Sequence, residues 1–228
     1  MMKATTSLMA ALILAIAGCA SSSPDPLAET TTPQESRAVA AARDQAAHAS
    51  LETLRQVMDN QKTVGPVAEP ASAGLVGARV GDGVPMRMVR LDALRAYRPG
   101  DDPRGLLVDR GAFMYPVTVG GDPRTSVVMA LRDGQWVPSR FGGVHSIKAL
   151  HATQRELAAA RPLKNLVLVD VPALHAKFLG RDEEGELVLT PLQDIDDTKL
   201  LAGRSEKAAD VFEALVPLAR EVDIHPPQ

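Results

Sequence analysis

The segment Phe113–Phe141 decides the fold and reads FMYPVTVGGDPRTSVVMALRDGQWVPSRF. Apolar residues alternate with other residues along Phe113–Val119, which is the period of a strand with one buried face. The turn sequence GGDP at 120–123 and the dipeptide Asp133–Gly134 separate this run from two further apolar runs. Asp-Gly between apolar runs is a strong hairpin signal, so we expect three consecutive antiparallel strands.

The sequence on either side of this meander predicts further strands and two helices. Ser146 is placed to cap a helix that runs to about Ala160, with apolar residues at helical spacing. The nearly continuous apolar run Leu166–Val171 predicts a central strand, and Leu187–Leu192 predicts another. Ser205–Val222 has the pattern of a final amphipathic helix. Met86–Leu94 fits either a strand or a strand that runs into a short helix.

These elements predict an α+β domain over residues 84–228, in which helices cover one face of an antiparallel sheet of about five or six strands. Before it, residues 35–62 are rich in alanine and contain neither glycine nor proline, which is the composition of a helix. Its apolar stripe is thin, so this helix either packs on its own domain or acts as a spacer or self-associating helix. Residues 63–83 are rich in glycine and proline and predict a linker or mobile loop.

The N-terminus has the pattern of an export signal. Lys3 precedes the apolar run Leu8–Ala17, and Gly18 and Cys19 follow it. Ten apolar residues in a helix reach only about 15 Å, half of the roughly 30 Å hydrocarbon core, so this run is too short to span a membrane.

The residues Ile16-Ala17-Gly18-Cys19 resemble the lipobox of bacterial lipoproteins. The resemblance implies that residues 1–18 are a signal peptide, that Cys19 receives lipid chains, and that cleavage occurs before it. Ala20 is not the aspartate that retains such proteins at the inner membrane, which implies the periplasmic side of the outer membrane, with the inner membrane as the alternative. An ordinary secretory signal cut after Ala17 is the other interpretation of the same residues.

Residues 19–34 are polar and contain proline, and they predict a disordered, lipidated tether between the anchor and the helix. The chain has a net charge of −3 and no basic patch, so no nucleic-acid partner is expected. Cys19 is the single cysteine, which excludes an internal disulfide.

The sequence contains no recognisable catalytic or metal-binding motif. The five histidines lack the spacing of a zinc site, and His145 and His151 fit surface positions better than a metal pair. Asp194, Asp196 and Asp197 lack the glycine and closing glutamate of a calcium loop. We therefore expect no metal, no cofactor and no catalytic residue.

One segment suggests a weak anion or ligand site. Gly142 and Gly143 precede the helix that is predicted to start near His145 and Ser146, and free N–H groups at a helix start can hold a carboxylate or phosphate. A plain cap at Ser146 explains the same residues. Trp136 and Tyr115 either line a binding face or belong to the core, and the scarcity of aromatic residues favours the core.

These observations predict a membrane-anchored lipoprotein of the cell envelope whose α+β domain is a non-enzymatic binding or interaction module with an envelope protein partner. A small-ligand sensor with a pocket near Trp136 and His145 is the first alternative. An envelope hydrolase is the second, and it requires titratable groups with shifted pKa values in one cleft.

Overall fold

The computed structural model describes residues 33–61, 74–160 and 162–222. The predicted signal peptide, Cys19 and most of the predicted tether lie outside these residues, as does the first half of the predicted linker. Pro33 and Gln34, which the sequence assigns to the tether, belong to the first helix.

A single mixed sheet forms the centre of the described part of the chain. Its order is β5-β4-β3-β2-β6-β7-β8-β9, and β1 pairs with β3 beyond the start of β2. The nine strands within the described residues are β1 (Arg79–Val80), β2 (Val84–Val89), β3 (Leu107–Val119), β4 (Asp122–Arg132), β5 (Gln135–Gly142), β6 (Val167–Val171), β7 (Ala176–Glu183), β8 (Glu186–Pro191) and β9 (Glu206–Lys207).

The class α+β is confirmed, but the predicted sheet of five or six antiparallel strands is wrong in two respects. The sheet has more strands, because β1 and β9 have only two residues each and are too short to show an alternating pattern. It is also mixed, because β2 pairs in parallel with β6, with Met86 opposite Leu168. All other pairs are antiparallel, including the predicted meander of β3, β4 and β5.

Helices cover both faces of the sheet, whereas the sequence predicted one. The described helices are α1 (Pro33–Gln61), α2 (Leu91–Ala96), α3 (Val144–Ala160) and α4 (Ala208–Glu221). On β6, Val167, Val169 and Val171 pack with α4, while Leu168 between them packs with α3 on the opposite face. A strand that is apolar at every position but one needs cover on both sides, and this is the reason for the two layers.

Helix α1 packs on the domain rather than standing apart as a spacer. Ala47 and Leu54 are buried against Tyr115, Val127 and Met129 of the sheet, on the face that α4 covers further along. We call this group of contacts the α1 cluster. The thin apolar stripe of the sequence therefore faces the sheet.

Residues 74–83 belong to the folded body, so the predicted linker is wrong for this part of its range. Leu75 and Val80 are buried, and Val80 lies in β1. A Cβ atom at Gly83 would lie 2.5 Å from Cζ of Tyr115, so only glycine allows the chain to pass this close to the ring. The undecided segment Met86–Leu94 is a strand followed by a short helix, namely β2 and α2.

Candidate functional site

Four of the five residues that the sequence proposed as a ligand site lie together at the junction of β5 and α3. Gly142 and Gly143 have φ of +115° and +76°, values that favour glycine. The helix begins at Val144, two residues before the predicted start, and the carbonyl of Gly143 accepts the N–H of Ile147 at 2.9 Å. Gly143 is therefore at the cap position, and the prediction that Ser146 caps the helix is wrong. His145 is exposed to solvent, and Ser146 is partly exposed.

Trp136, the fifth residue, lies at the other end of β5. Gly142 lies six positions further along the strand, which corresponds to about 20 Å. Its ring contacts Phe113 edge-on, with centroids 5.6 Å apart, and belongs to the α1 cluster. Tyr115 is buried in the same cluster, and the partly buried Trp136 packs against it. The predicted residues thus do not form one site.

A large cavity lies elsewhere, at the edge of the sheet where β2 and β6 begin. Its volume is about 1490 Å³, and it extends from α1 past the start of β2 to α3 and the segment before β6. Positive side chains from each of these elements line it, and we call it the basic cavity. They are Arg37, Arg43, Arg87, Arg155 and Lys164, against the two carboxylates Asp82 and Asp182.

Arg87 is the most unusual residue of the basic cavity. It lies within β2 and is 6% exposed. Nη1 lies 2.7 Å from Oδ1 of Asp109, whose side chain is 58% exposed. Nε is buried and has no hydrogen-bond partner among the described residues. An unsatisfied buried donor costs about 1–3 kcal/mol, and one on a charged group costs more, so the unpaired Nε destabilises the fold even though Asp109 pairs with Nη1.

Arg43 links the basic cavity to the α1 cluster. Its Nε donates to Oη of Tyr115 at 2.7 Å, and its guanidinium lies 3.6 Å from the ring centroid of Phe113. Oη of Tyr115 donates in turn to Oδ1 of Asp44 at 2.5 Å. Burial raises the pKa of the Tyr115 hydroxyl well above its usual range, and the hydrogen bond to Asp44 acts in the same direction. Tyr115 therefore stays protonated and holds α1 against the sheet.

The remaining charges leave the cavity positive. Arg37, Arg155 and Lys164 are exposed, and none of them has an ion-pair partner among the described residues. Asp182 is paired with Arg104, which does not line the cavity. A positive lining in a chain of net charge −3 is an arrangement that attracts anions.

Sequence reasoning missed all these residues because they are far apart in the chain. One signal was present, since Arg87 interrupts the apolar segment Val84–Val89 and would be an unpaired charge in a buried strand. The other four look like ordinary surface residues until the fold brings them together.

The acidic and histidine residues considered as metal ligands do not form such a site. Asp194, Asp196 and Asp197 line a second, smaller cavity of about 450 Å³ with His175. His145 and His151 lie six residues apart on α3, which places them on different sides of the helix. In the described ranges, no group of three or more histidine, cysteine or acidic side chains is placed to hold a metal ion.

Comparison with protein-family models, with curated proteins and with solved structures finds no match for this chain. Among the helices in the described ranges, none is both long and apolar enough to cross a membrane.

Proposed function

We propose that the chain is a lipid-anchored protein of the bacterial cell envelope whose α+β body is a non-enzymatic binding module. The anchor is Cys19, at the periplasmic side of the outer membrane, with the inner membrane as the alternative. The lipobox-like residues Ile16-Ala17-Gly18-Cys19 support the anchor. The basic cavity supports the module, because it is a concave surface with a buried donor that has no partner within the described residues.

The titratable side chains that line the basic cavity are mainly arginine and lysine, beside His151, Asp82 and Asp182, and the excess of arginine and lysine favours binding over catalysis. Arginine and lysine carry their charge throughout the physiological pH range and hold anions without exchanging protons. An envelope hydrolase would need titratable groups with shifted pKa values in one cleft. The two tyrosines with raised pKa values lie apart, since Tyr97 belongs to the cluster under α4 and Tyr115 to the α1 cluster.

The tether determines where the module works. The residues between Cys19 and the start of α1 reach about 50 Å if fully extended. A single lipid chain holds a protein only marginally, whereas several chains give a stable anchor. The body would then remain near the membrane surface and meet partners within that distance.

Replacement of Cys19 tests the anchor. In cells grown with labelled fatty acid, we expect Cys19→Ser to abolish labelling and to move the protein out of the membrane fraction, because serine has no thiol to accept the lipid. Ser22→Ala, in the same polar segment, should label like the wild type. Persistent labelling of Cys19→Ser would contradict the lipoprotein assignment.

A small-ligand receptor is the second candidate function. The volume of the basic cavity favours this function, since the volume exceeds the roughly 300 Å³ that a small ligand needs.

Photo-cross-linking in cells separates the module that binds an envelope macromolecule from the small-ligand receptor. A photoreactive residue in place of Gln154, which lines the cavity, should give a product of higher mass with an envelope macromolecule. The same residue in place of Gln135, on β5 and outside the cavity, should not. If position 154 gives no such product, the binding module for macromolecules is contradicted and the receptor is favoured.

A further inference from the structure

We propose that the basic cavity binds a ligand with at least two phosphate or carboxylate groups and that Arg87 is the buried residue that anchors one of them. This proposal rests on the binding module described above and names the chemistry of its ligand. It differs from the site that the sequence suggested at the start of α3.

The burial of Arg87 costs free energy. The residue is 6% exposed, and its partner across the parallel pair is the buried Val169. Moving a guanidinium out of water into such surroundings costs several kcal/mol, and the largely exposed Asp109 offsets only part of this. A residue that breaks the local apolar pattern in this way is expected at a functional site rather than at a structural one.

The geometry of the guanidinium indicates the kind of ligand. Asp109 contacts Nη1, while Nε has no partner among the described residues. Arginine holds carboxylate and phosphate through parallel N–H groups, and such charge-assisted bonds are about twice as strong as neutral ones. An anionic oxygen is therefore the partner that suits the unpaired Nε of Arg87.

The other positive residues indicate more than one anionic group. Arg37 lies on α1, Arg155 on α3 and Lys164 in the segment before β6, so the charges come from three sides of one cavity. A volume of about 1490 Å³ is larger than a single phosphate or acetate fills. Only a ligand with several anionic groups engages Arg87 and these three side chains together.

Tripolyphosphate serves as the probe, and calorimetric titration of the full chain carrying Cys19→Ser measures its affinity without the anchor. We expect saturable binding of one equivalent that weakens between 50 and 200 mM salt, values chosen to span roughly the range in which ionic contacts are screened. The double variant Arg37→Gln/Arg155→Gln should weaken binding about tenfold or more. Both positions are exposed, so this variant should keep the fold.

A matched control separates the cavity from general attraction to positive charge. Arg132→Gln/Arg140→Gln removes two exposed arginines of β4 and β5 that do not line the cavity, and it should change the affinity less than about twofold. Arg87→Lys keeps the charge but loses the Nε donor and should weaken binding by about tenfold, with circular dichroism to confirm folding. If Arg87→Lys does not fold, the affinity of Arg37→Gln/Arg155→Gln relative to the control variant alone tests the proposal.

Two results would overturn the proposal. The first is no saturable binding below about 5 mM probe, a concentration that corresponds to a binding free energy of about −3 kcal/mol. The second is a loss of affinity in the control double variant equal to that in Arg37→Gln/Arg155→Gln.

Competition by vesicles identifies the source of the anionic groups. Displacement of the probe by phosphatidylglycerol vesicles but not by phosphatidylcholine vesicles would support a lipid headgroup. No displacement by either would support a soluble ligand and, with it, the receptor as the function of the same cavity. If cross-linking from position 154 succeeds while the titration fails, the binding module stands and only its anionic ligand is refuted.

Discussion

Tyr115 shows at the scale of one residue how a polar atom is kept in an apolar cluster. Its ring fills the space against Gly83, and its hydroxyl donates to Asp44 and accepts from Arg43. The hydroxyl therefore has both a donor and an acceptor partner, as a buried polar group requires. The same contacts connect the core to Arg43, which lines the basic cavity.

The raised pKa of Tyr115 makes the free energy of unfolding decrease at alkaline pH. The folded chain keeps the phenolic proton above pH 10, where the unfolded chain loses it, so the stability present below pH 10 falls as the pH rises further, by about 1.4 kcal/mol per pH unit. In Tyr97→Phe, Tyr115 is the remaining tyrosine, and we expect no tyrosinate absorbance from the folded protein at pH 10. The same variant unfolded in urea provides the control, with half-ionisation near pH 10. Half-ionisation of the folded variant at pH 10 would show that the hydroxyl is exposed.

At the scale of the element, α1 is the helix for which the sequence left two interpretations, packing on the domain or acting as a spacer or self-associating helix. Its buried contacts with the sheet are made by small or medium side chains such as Ala47 and Leu54, while Val39 is exposed. Burial of few apolar groups gives modest docking energy, so the hydrogen bonds of Asp44 and Arg43 to Tyr115 add to the attachment. Because Arg37 and Arg43 both lie on this helix, its docking also forms one wall of the basic cavity.

Leu54→Ala tests this docking. We expect the free energy of unfolding to fall by about 2–4 kcal/mol, because the substitution leaves a cavity between α1 and the sheet. Urea unfolding followed by the fluorescence of Trp136 measures the change, since this single tryptophan lies in the same cluster. Val39→Ala on the exposed side should change stability by less than about 0.5 kcal/mol. If Leu54→Ala is as mild as Val39→Ala, the helix is a spacer and does not pack.

At the scale of the whole molecule, the parallel pair β2–β6 joins the two parts of the sheet. Helix α3 carries the chain from the edge strand β5 back to β6 in the middle, beside β2. Its buried residues Ile147 and Leu150 pack with Met86 from one part and with Leu168 from the other. The basic cavity lies at the starts of this parallel pair, so the connection that closes the sheet also gathers the positive residues.

Much of the local structure could be predicted from the sequence. The meander of β3, β4 and β5 follows from alternating apolar residues and the two turn sequences, and Asp133 and Gly134 indeed have positive φ. The fold class and the existence of α1, α3 and α4 follow from periodicity in the same way. The lipobox-like segment and Cys19 lie outside the described residues and stay a prediction.

The sequence by itself determined these local elements, because turns and periodic burial depend on residues a few positions apart. Only the tertiary structure decided the parallel pairing of β2 with β6, the cover on both faces and the position of the basic cavity. The positive residues of this cavity come from separate segments of the chain. Apart from Arg87, which interrupts an apolar run, each alone resembles an ordinary charged residue. Their common site depends on which elements pack together, and packing between distant segments leaves no short-range pattern in the sequence.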